Sequence, residues 1–178
     1  MTAETRAELA EVAGVAQTRD AATQRFVFNH TMLRIKDPVE SLDFYTRTLG
    51  FMLVRKVDFA DAAFSLYFLV LVDDDSDIPD SDRERQQWLA GQRGVLELTH
   101  NHGTETAAGA MYHHGNSDPR GFGHLCVSVP DIRAACARLE SLGVPFQKKL
   151  SDGSMKSIAF IKDPDGYWIE LIQPTPLA

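Results

Sequence analysis

Cysteine is scarce in this chain: Cys126 and Cys136 are the only two in 178 residues. A disulfide framework is not implied, and two lone thiols fit a reducing compartment. Positive charge is also short, with 18 Lys and Arg against 25 Asp and Glu, a net charge of −7 and a pI near 5.3. Such a chain is repelled by phosphate backbones and anionic membrane surfaces, so neither nucleic acid nor membrane is expected as a partner. No apolar run is long enough to cross a bilayer. The stretch from Met1 to about Arg25, rich in Ala, Glu and Thr, has no apolar signal core. The expected location is cytoplasmic, with residues 1–25 as an N-terminal arm.

The 44% hydrophobic content suffices for a sizeable core, in one large domain or two small ones. The pattern favours two copies of one unit. From His30, an alternating segment (HTMLRI) runs into Asp37-Pro38-Val39-Glu40 and an amphipathic stretch that stops at Gly50. From His124, the same order returns: HLCVSV, Pro130-Asp131, a helical pattern at Ile132, Ala135, Cys136, Leu139 and Leu142, and a stop at Gly143. The His-to-Gly spacings are 20 and 19 residues. Asp37 and Asp131 are suited to cap the helices, Pro38 to a first turn with Glu40 completing a capping-box-like pattern, and the two glycines to left-handed C-terminal caps. Strand-like runs follow at Ser65–Val72 and Val95–Thr99, then at Ser157–Ile161 and Tyr167–Ile172. Each half thus reads as strand, helix, then about three strands. The expected class is α+β, with a first βαβββ module over 26–103, a connecting loop over 104–122 and a second module over 123–174. The segment Asp163-Pro164-Asp165-Gly166 has hairpin-turn chemistry.

Alternation across a strand places His30, Met32 and Arg34 on one face and Thr31, Leu33 and Ile35 on the other. Likewise His124 opposes Leu125, Glu97 opposes Leu96 and Leu98, and Glu170 opposes Ile169 and Leu171. Both His and both Glu are expected on helix-free sheet faces. A carboxylate between aliphatic neighbours needs a partner, and two imidazoles with two carboxylates suit zinc, nickel, cobalt or iron(II). Any one of the four alone would be a weak signal; their recurrence at matched positions carries the metal reading. His100, His102, His113 and His114, in or beside the Gly-rich connection from Thr99 to Gly123, have no repeat partner and are discounted as ligands. That connection is long enough to serve as a lid or rim.

These residues resemble a known family. Thr31-Met32-Leu33-Arg34, Ser41–Arg47 (SLDFYTR), Leu96–Asn101 (LELTHN), Asn116–His124 (NSDPRGFGH) and Asp163–Glu170 (DPDGYWIE) occur in the order found in glyoxalase I, the lactoylglutathione lyases of the vicinal oxygen chelate superfamily. The match runs from about Phe28 to Gln173. The resemblance implies curved mixed sheets from paired βαβββ modules, a homodimer with interface active sites, and isomerisation of the glutathione–methylglyoxal hemithioacetal to S-D-lactoylglutathione. It implies His30, Glu97, His124 and Glu170 as metal ligands, with Glu170 as the general base and Glu97 the second catalytic carboxylate. It implies Arg34, Asn101, Arg120, Lys148 and the Gly153 backbone, with Lys149 nearby, as partners of the glutathione carboxylates. Phe59, Leu66, Phe68, Met155 and Phe160 would line the pocket for the variable group.

Two positions depart from the animal enzymes: Ser154 replaces a Lys, and His102 replaces the Trp of Asn-Trp-Gly. The N-terminal extension and the segment Asp73–Gly94, with a short helix expected to begin at Ser81, resemble the longer zinc-using members, so zinc is expected, with nickel or cobalt as alternatives. Two other readings of the same architecture are an extradiol-type metal dioxygenase, against which the second carboxylate argues, and a non-catalytic drug-binding protein, in which ligand positions are typically lost.

Overall fold

The computed structural model describes residues 2–174. A helix α1 (Ala3–Ala10) precedes β1 (His30–Ile35), α2 (Pro38–Asp43), β2 (Met52–Phe59), β3 (Phe64–Val70), α3 (Asp82–Gly91) and β4 (Val95–Asn101). The second half runs β5 (His124–Ser128), α4 (Ile132–Ser141), β6 (Phe146–Lys148), β7 (Ala159–Lys162) and β8 (Trp168–Ile172). The strands form two four-stranded sheets in matching order, β1-β4-β3-β2 and β5-β8-β7-β6. In each sheet the first and last strands of the unit pair in parallel, and the other pairs are antiparallel. The fold is therefore α+β, with paired βαβββ modules.

Local chemistry explains the repeat. The Asp37 carboxylate accepts the Val39 N–H and Pro38 opens α2, while Asp131 accepts the N–H groups of Arg133 and Ala134 at the start of α4; such caps each contribute about 0.5–2 kcal/mol. Beyond Asp43, α2 widens into a π-helical turn over Phe44–Thr48. The chain then leaves through Gly50 at φ +81°, a conformation costly for a residue with a Cβ. α4 buries Ile132, Cys136 and Leu139, one stripe at helical spacing.

The inner faces of both sheets share one core. Leu33, Ile35, Tyr45, Leu69 and Leu98 of the first half pack in the same cluster as Ile132, Leu139, Ile161, Ile169 and Leu171 of the second. Polar contacts fix the junction. The Tyr45 hydroxyl donates to Asp163 Oδ2 at 2.8 Å, and Asp165 accepts the Lys36 N–H. Arg138 donates to the carbonyls of Thr48 and Arg47 at the end of the π-helical turn. The Asp163-to-Gly166 turn is thus a docking element as well as a hairpin, because Asp163 reaches the π-helical turn at Tyr45 and Asp165 reaches Lys36 and, at 3.5 Å, Ser41 of α2. Burial, first of all, pushes the Asp163 carboxyl up to about 7.

Two expectations require correction. The runs read from sequence leave out β2 and β6, whose alternation is interrupted by register shifts between Leu53 and Arg55 and between Phe146 and Lys148. The outward face of the first sheet is also not free of helix. The segment between β3 and β4 folds back over one end of it, so that Leu89 and Trp88 of α3 pack with Val70, Val95 and Phe68. Val70 and Val95 lie on that face two residues from Phe68 and Glu97, and their apolar side chains are what α3 covers. The start of α3 is as expected: Ser81 accepts the Glu84 N–H and donates to its carboxylate.

Candidate metal and substrate site

The outward faces carry the chemistry. On β1 the burial pattern alternates, with His30, Met32 and Arg34 open and Leu33 and Ile35 buried. On β5, His124, Cys126 and Ser128 are open while Leu125 and Val127 turn toward the core. Glu97 and Glu170 are half-buried between fully buried neighbours. Strand pairing then brings each His to its Glu: His30 Nε2 lies 3.3 Å from Glu97 Oε2, and His124 Nε2 lies 3.2 Å from Glu170 Oε2. Each sheet thus offers one imidazole nitrogen and one carboxylate oxygen, a borderline donor pair of the kind that zinc and its first-row neighbours accept.

Among the described residues of one chain, no three His, Cys, Asp or Glu side chains come close enough to hold an ion. The four donors expected from sequence therefore form two half-sites, and a single copy does not bring them together. The donor types fit a divalent cation; the number in either half is two of the four that such an ion takes.

The surroundings differ between the halves. In the first, the Thr99 hydroxyl lies 3.4 Å from Glu97 Oε1, and a hollow is lined by Met32, Arg34, Phe64, Leu66, Glu97, Thr99 and Asn101. Arg34 donates to Asn101 Oδ1 at 3.0 Å, with the Tyr112 hydroxyl 3.5 Å from the same oxygen. Arg34 and Asn101 are thus brought together. Leu66 and Phe68 are half-buried on this face, and Phe59 stacks on Phe64 with centroids 4.6 Å apart.

In the second half, Phe160 meets the His124 ring edge-on at 5.2 Å and Trp168 at 5.9 Å. Cys126 pairs with Glu170 across the strands; burial and then the adjacent carboxylate push its thiol up to about 11. Lys148 does not stand free: its Nζ donates to the carbonyls of Lys149, Met155 and Ile158, tying together the loop that carries Gly153 at φ +61° and the exposed Met155. Arg120 projects into solvent from the connecting loop, 3.7 Å from Asp118.

The histidines discounted as ligands have other partners. His100 is on β4 and buried, not in the loop, because its position on the strand turns it to the core side, where Glu105 meets it at 2.7 Å. His102 contacts Ser65 at 2.9 Å, and the Nδ1 atoms of His113 and His114 accept backbone N–H groups of their own loop. Sequence reasoning missed Trp168, which a period of two from Glu170 would have placed on the site face. It also missed Asn29, for which no local pattern exists.

Comparison with known proteins identifies the family. The family model described as the Glyoxalase/Bleomycin resistance protein/Dioxygenase superfamily matches residues 27–171. A lactoylglutathione lyase of Pseudomonas putida is 66% identical over 170 residues, covering 96% of this chain and 98% of that one. A lactoylglutathione lyase of Pseudomonas aeruginosa is 56% identical over 160 residues, covering 90% and 89%. Among solved structures, the trypanothione-dependent glyoxalase I of Leishmania major superposes with a TM-score of 0.62 at 29% identity, covering 83% of this chain and 86% of that one.

Proposed function

This chain belongs to the Glyoxalase/Bleomycin resistance protein/Dioxygenase superfamily, and within it to glyoxalase I; from that premise we propose that it isomerises the hemithioacetal of glutathione and methylglyoxal to S-D-lactoylglutathione. The observation that carries the reading is the pair of His–Glu contacts at 3.3 and 3.2 Å on two sheets of identical strand order. Glyoxalase I uses a divalent metal, and here His30, Glu97, His124 and Glu170 would hold it, with zinc the ion proposed. When bound, the cation supplies Lewis-acid stabilisation for the negative oxygens that develop during proton transfer.

Because each copy offers two donors per half-site, the working site takes the first module's pair from one copy and the second module's pair from another. The protein is accordingly a homodimer with two sites at the interface. The two sheets of one chain place their polar faces outward, which leaves those faces available to a second copy.

The reaction moves a proton between adjacent carbons. Glu170 takes it from the carbon bearing the hydroxyl and sulfur, giving an enediolate, and returns it to the neighbouring carbon, while the hydroxyl proton passes from the first oxygen to the second, so that the hydroxyl becomes the thioester carbonyl and the ketone becomes the hydroxyl without net loss of atoms. Arg34 and Asn101, already in contact, hold a glutathione carboxylate by charge-assisted hydrogen bonds. Arg120, Lys148 and the Gly153 backbone offer further partners from the second half, and Phe59, Leu66, Phe68, Met155 and Phe160 exclude water around the variable group. Glu97 would hold the metal together with Glu170. No helix among the described residues is long and apolar enough to cross a membrane, and two free thiols support a cytoplasmic location.

The test is to strip the protein with chelator, add back zinc, nickel, cobalt or iron(II) in turn, and follow thioester formation from methylglyoxal and glutathione. Zinc is expected to restore turnover best, in a species of twice the chain mass. Failure of every ion to restore thioester formation would overturn the activity, and full activity in a monomer would overturn the shared site.

A further inference from the structure

Asn29 immediately precedes the first half-site and lies in no helix or strand. Its Nδ2 lies 2.8 Å from the carbonyl of Leu89 and 3.3 Å from that of Ala90, near the C-terminal end of α3, and 3.0 Å from that of its C-cap Gln92. Its backbone carbonyl accepts the Val95 N–H at 3.0 Å, so the residue is fixed at both ends. Three carbonyl acceptors leave no choice of amide orientation: the NH2 faces α3, and Oδ1 faces His30 Nδ1 at 2.8 Å.

That assignment decides the histidine. An amide oxygen can only accept, so in the neutral His30 ring the hydrogen belongs to Nδ1, and the Nε2 lone pair is directed toward Glu97 Oε2 at 3.3 Å. Two lone-pair-bearing atoms at that separation call for a positive charge between them. We propose that Asn29 is a positioning residue, which fixes the His30 tautomer and ring so that Nε2 is free for the metal, and that helix α3 governs it through the Asn29 amide. The role in metal binding rests on the function proposed above; the tautomer does not. The segment between β3 and β4 thus acts on the site electronically as well as by covering one end of the sheet.

His124 provides an internal reference. Its ring is flanked by Phe160, and among the described residues no hydrogen bond engages its Nδ1. The imidazole nitrogens are read by long-range nitrogen-15 NMR on the metal-free, full-length protein in mildly alkaline solution. His30 is expected in the Nδ1–H form and His124 as a mixture. Asn29→Ala is expected to move His30 toward the Nε2–H form, leave His124 unchanged, and lower zinc affinity by about ten- to a hundredfold in competition with a chromophoric chelator.

Wild-type His30 found in the Nε2–H form would overturn the proposal without any variant, which keeps it testable should Asn29→Ala fail to fold. So would an unchanged His30 tautomer in the variant, or equal shifts at His30 and His124. A protein with the stated His30 tautomer but no thioester formation would count against the activity and not against Asn29.

Discussion

The two half-sites share one construction and differ in how firmly it is held. Both place a His on the first strand of a unit and a Glu on the last, in parallel pairing. In the first half the His ring is gripped by Asn29, the Glu has a hydroxyl beside it, and α3 covers one end of the face. In the second half the His is bounded by an aromatic edge, the Glu lies beside a thiol, and the loop between β6 and β7 is gathered by Lys148, with Asp152 and Lys156 closing its turn. The donors of the two halves match while their surroundings differ. The carboxylates themselves are matched, each with one imidazole and one further donor beside it, so the proposal of Glu170 rather than Glu97 as the base rests on the family resemblance.

The largest expected effect breaks that comparison if it is wrong. Glu170→Gln is expected to lower kcat by about two to four powers of ten while retaining much of the metal, whereas Glu97→Gln is expected to weaken metal binding first. Paired kcat and metal-content measurements decide it, and equal profiles for the two variants would remove the asymmetry. His124→Ala, which deletes a donor, is expected to lose metal and turnover together.

The second effect concerns the junction by which the second half grips the first. Burial raises Asp163 from 3.8 to about 7 in the folded chain. The folded state then binds more protons than the unfolded chain between those values, so this group's contribution is complete below the lower value and is lost as pH rises through the upper one. In Asp163→Asn the amide oxygen can still accept the N–H groups of Asp165 and Tyr167, and the amide nitrogen can meet the Tyr45 oxygen. The variant is expected to flatten the pH dependence and to be relatively more stable above pH 7, by a few kcal/mol at most on the order of one pKa unit per 1.4 kcal/mol. Urea midpoints across that range check it, and an unchanged slope would show that Asp163 is not the titrating group.

Much of this was legible beforehand because periodicity is a property of sequence. Alternation around His30, His124, Glu97 and Glu170 fixed their faces, and Asp37, Gly50, Asp131 and Gly143 marked the helix ends. What escaped lies in contacts without local pattern. Asn29 meets carbonyls some 60 residues away, and the docking role of Asp163 and Asp165 depends on α2 lying opposite their turn. β2 and β6 escaped because register shifts interrupt their alternation. The position of α3 over the first site face was readable in part, since Val70 and Val95 are apolar where a polar face was expected.

The third effect compares cationic anchors in the two halves. Among the described residues Arg34 has one acceptor, the Asn101 oxygen, while Lys148 is engaged by three carbonyls of its own loop. Loss of a charge-assisted hydrogen bond costs about 1.5–3 kcal/mol. Arg34→Ala is therefore expected to raise KM for the hemithioacetal by about ten- to a hundredfold with a smaller change in kcat. Lys148→Ala is expected to act chiefly by loosening residues 149–158, seen as faster proteolysis there; the reverse ranking in KM would make the second half the principal anchor.

The smallest effect reads the electrostatics of the second half directly. Cys126 is exposed, yet burial of its sulfur and then the Glu170 carboxylate raise its thiol to about 11, so little thiolate forms near neutrality and alkylation is slow. Glu170→Gln removes the negative neighbour but not the burial. Iodoacetamide labelling of Cys126 in the metal-free monomer is expected to accelerate several-fold in that variant, and Glu97→Gln, on the other sheet of the same chain, to leave it unchanged. Because burial is the larger cause, labelling should remain slower than that of an unperturbed thiol even in Glu170→Gln. Equal acceleration by both variants would mean that each thiol senses both carboxylates, as it would where two copies bring the half-sites together. Metal-free protein separated into monomer and dimer before labelling distinguishes that case, since only the monomer must keep the two responses apart.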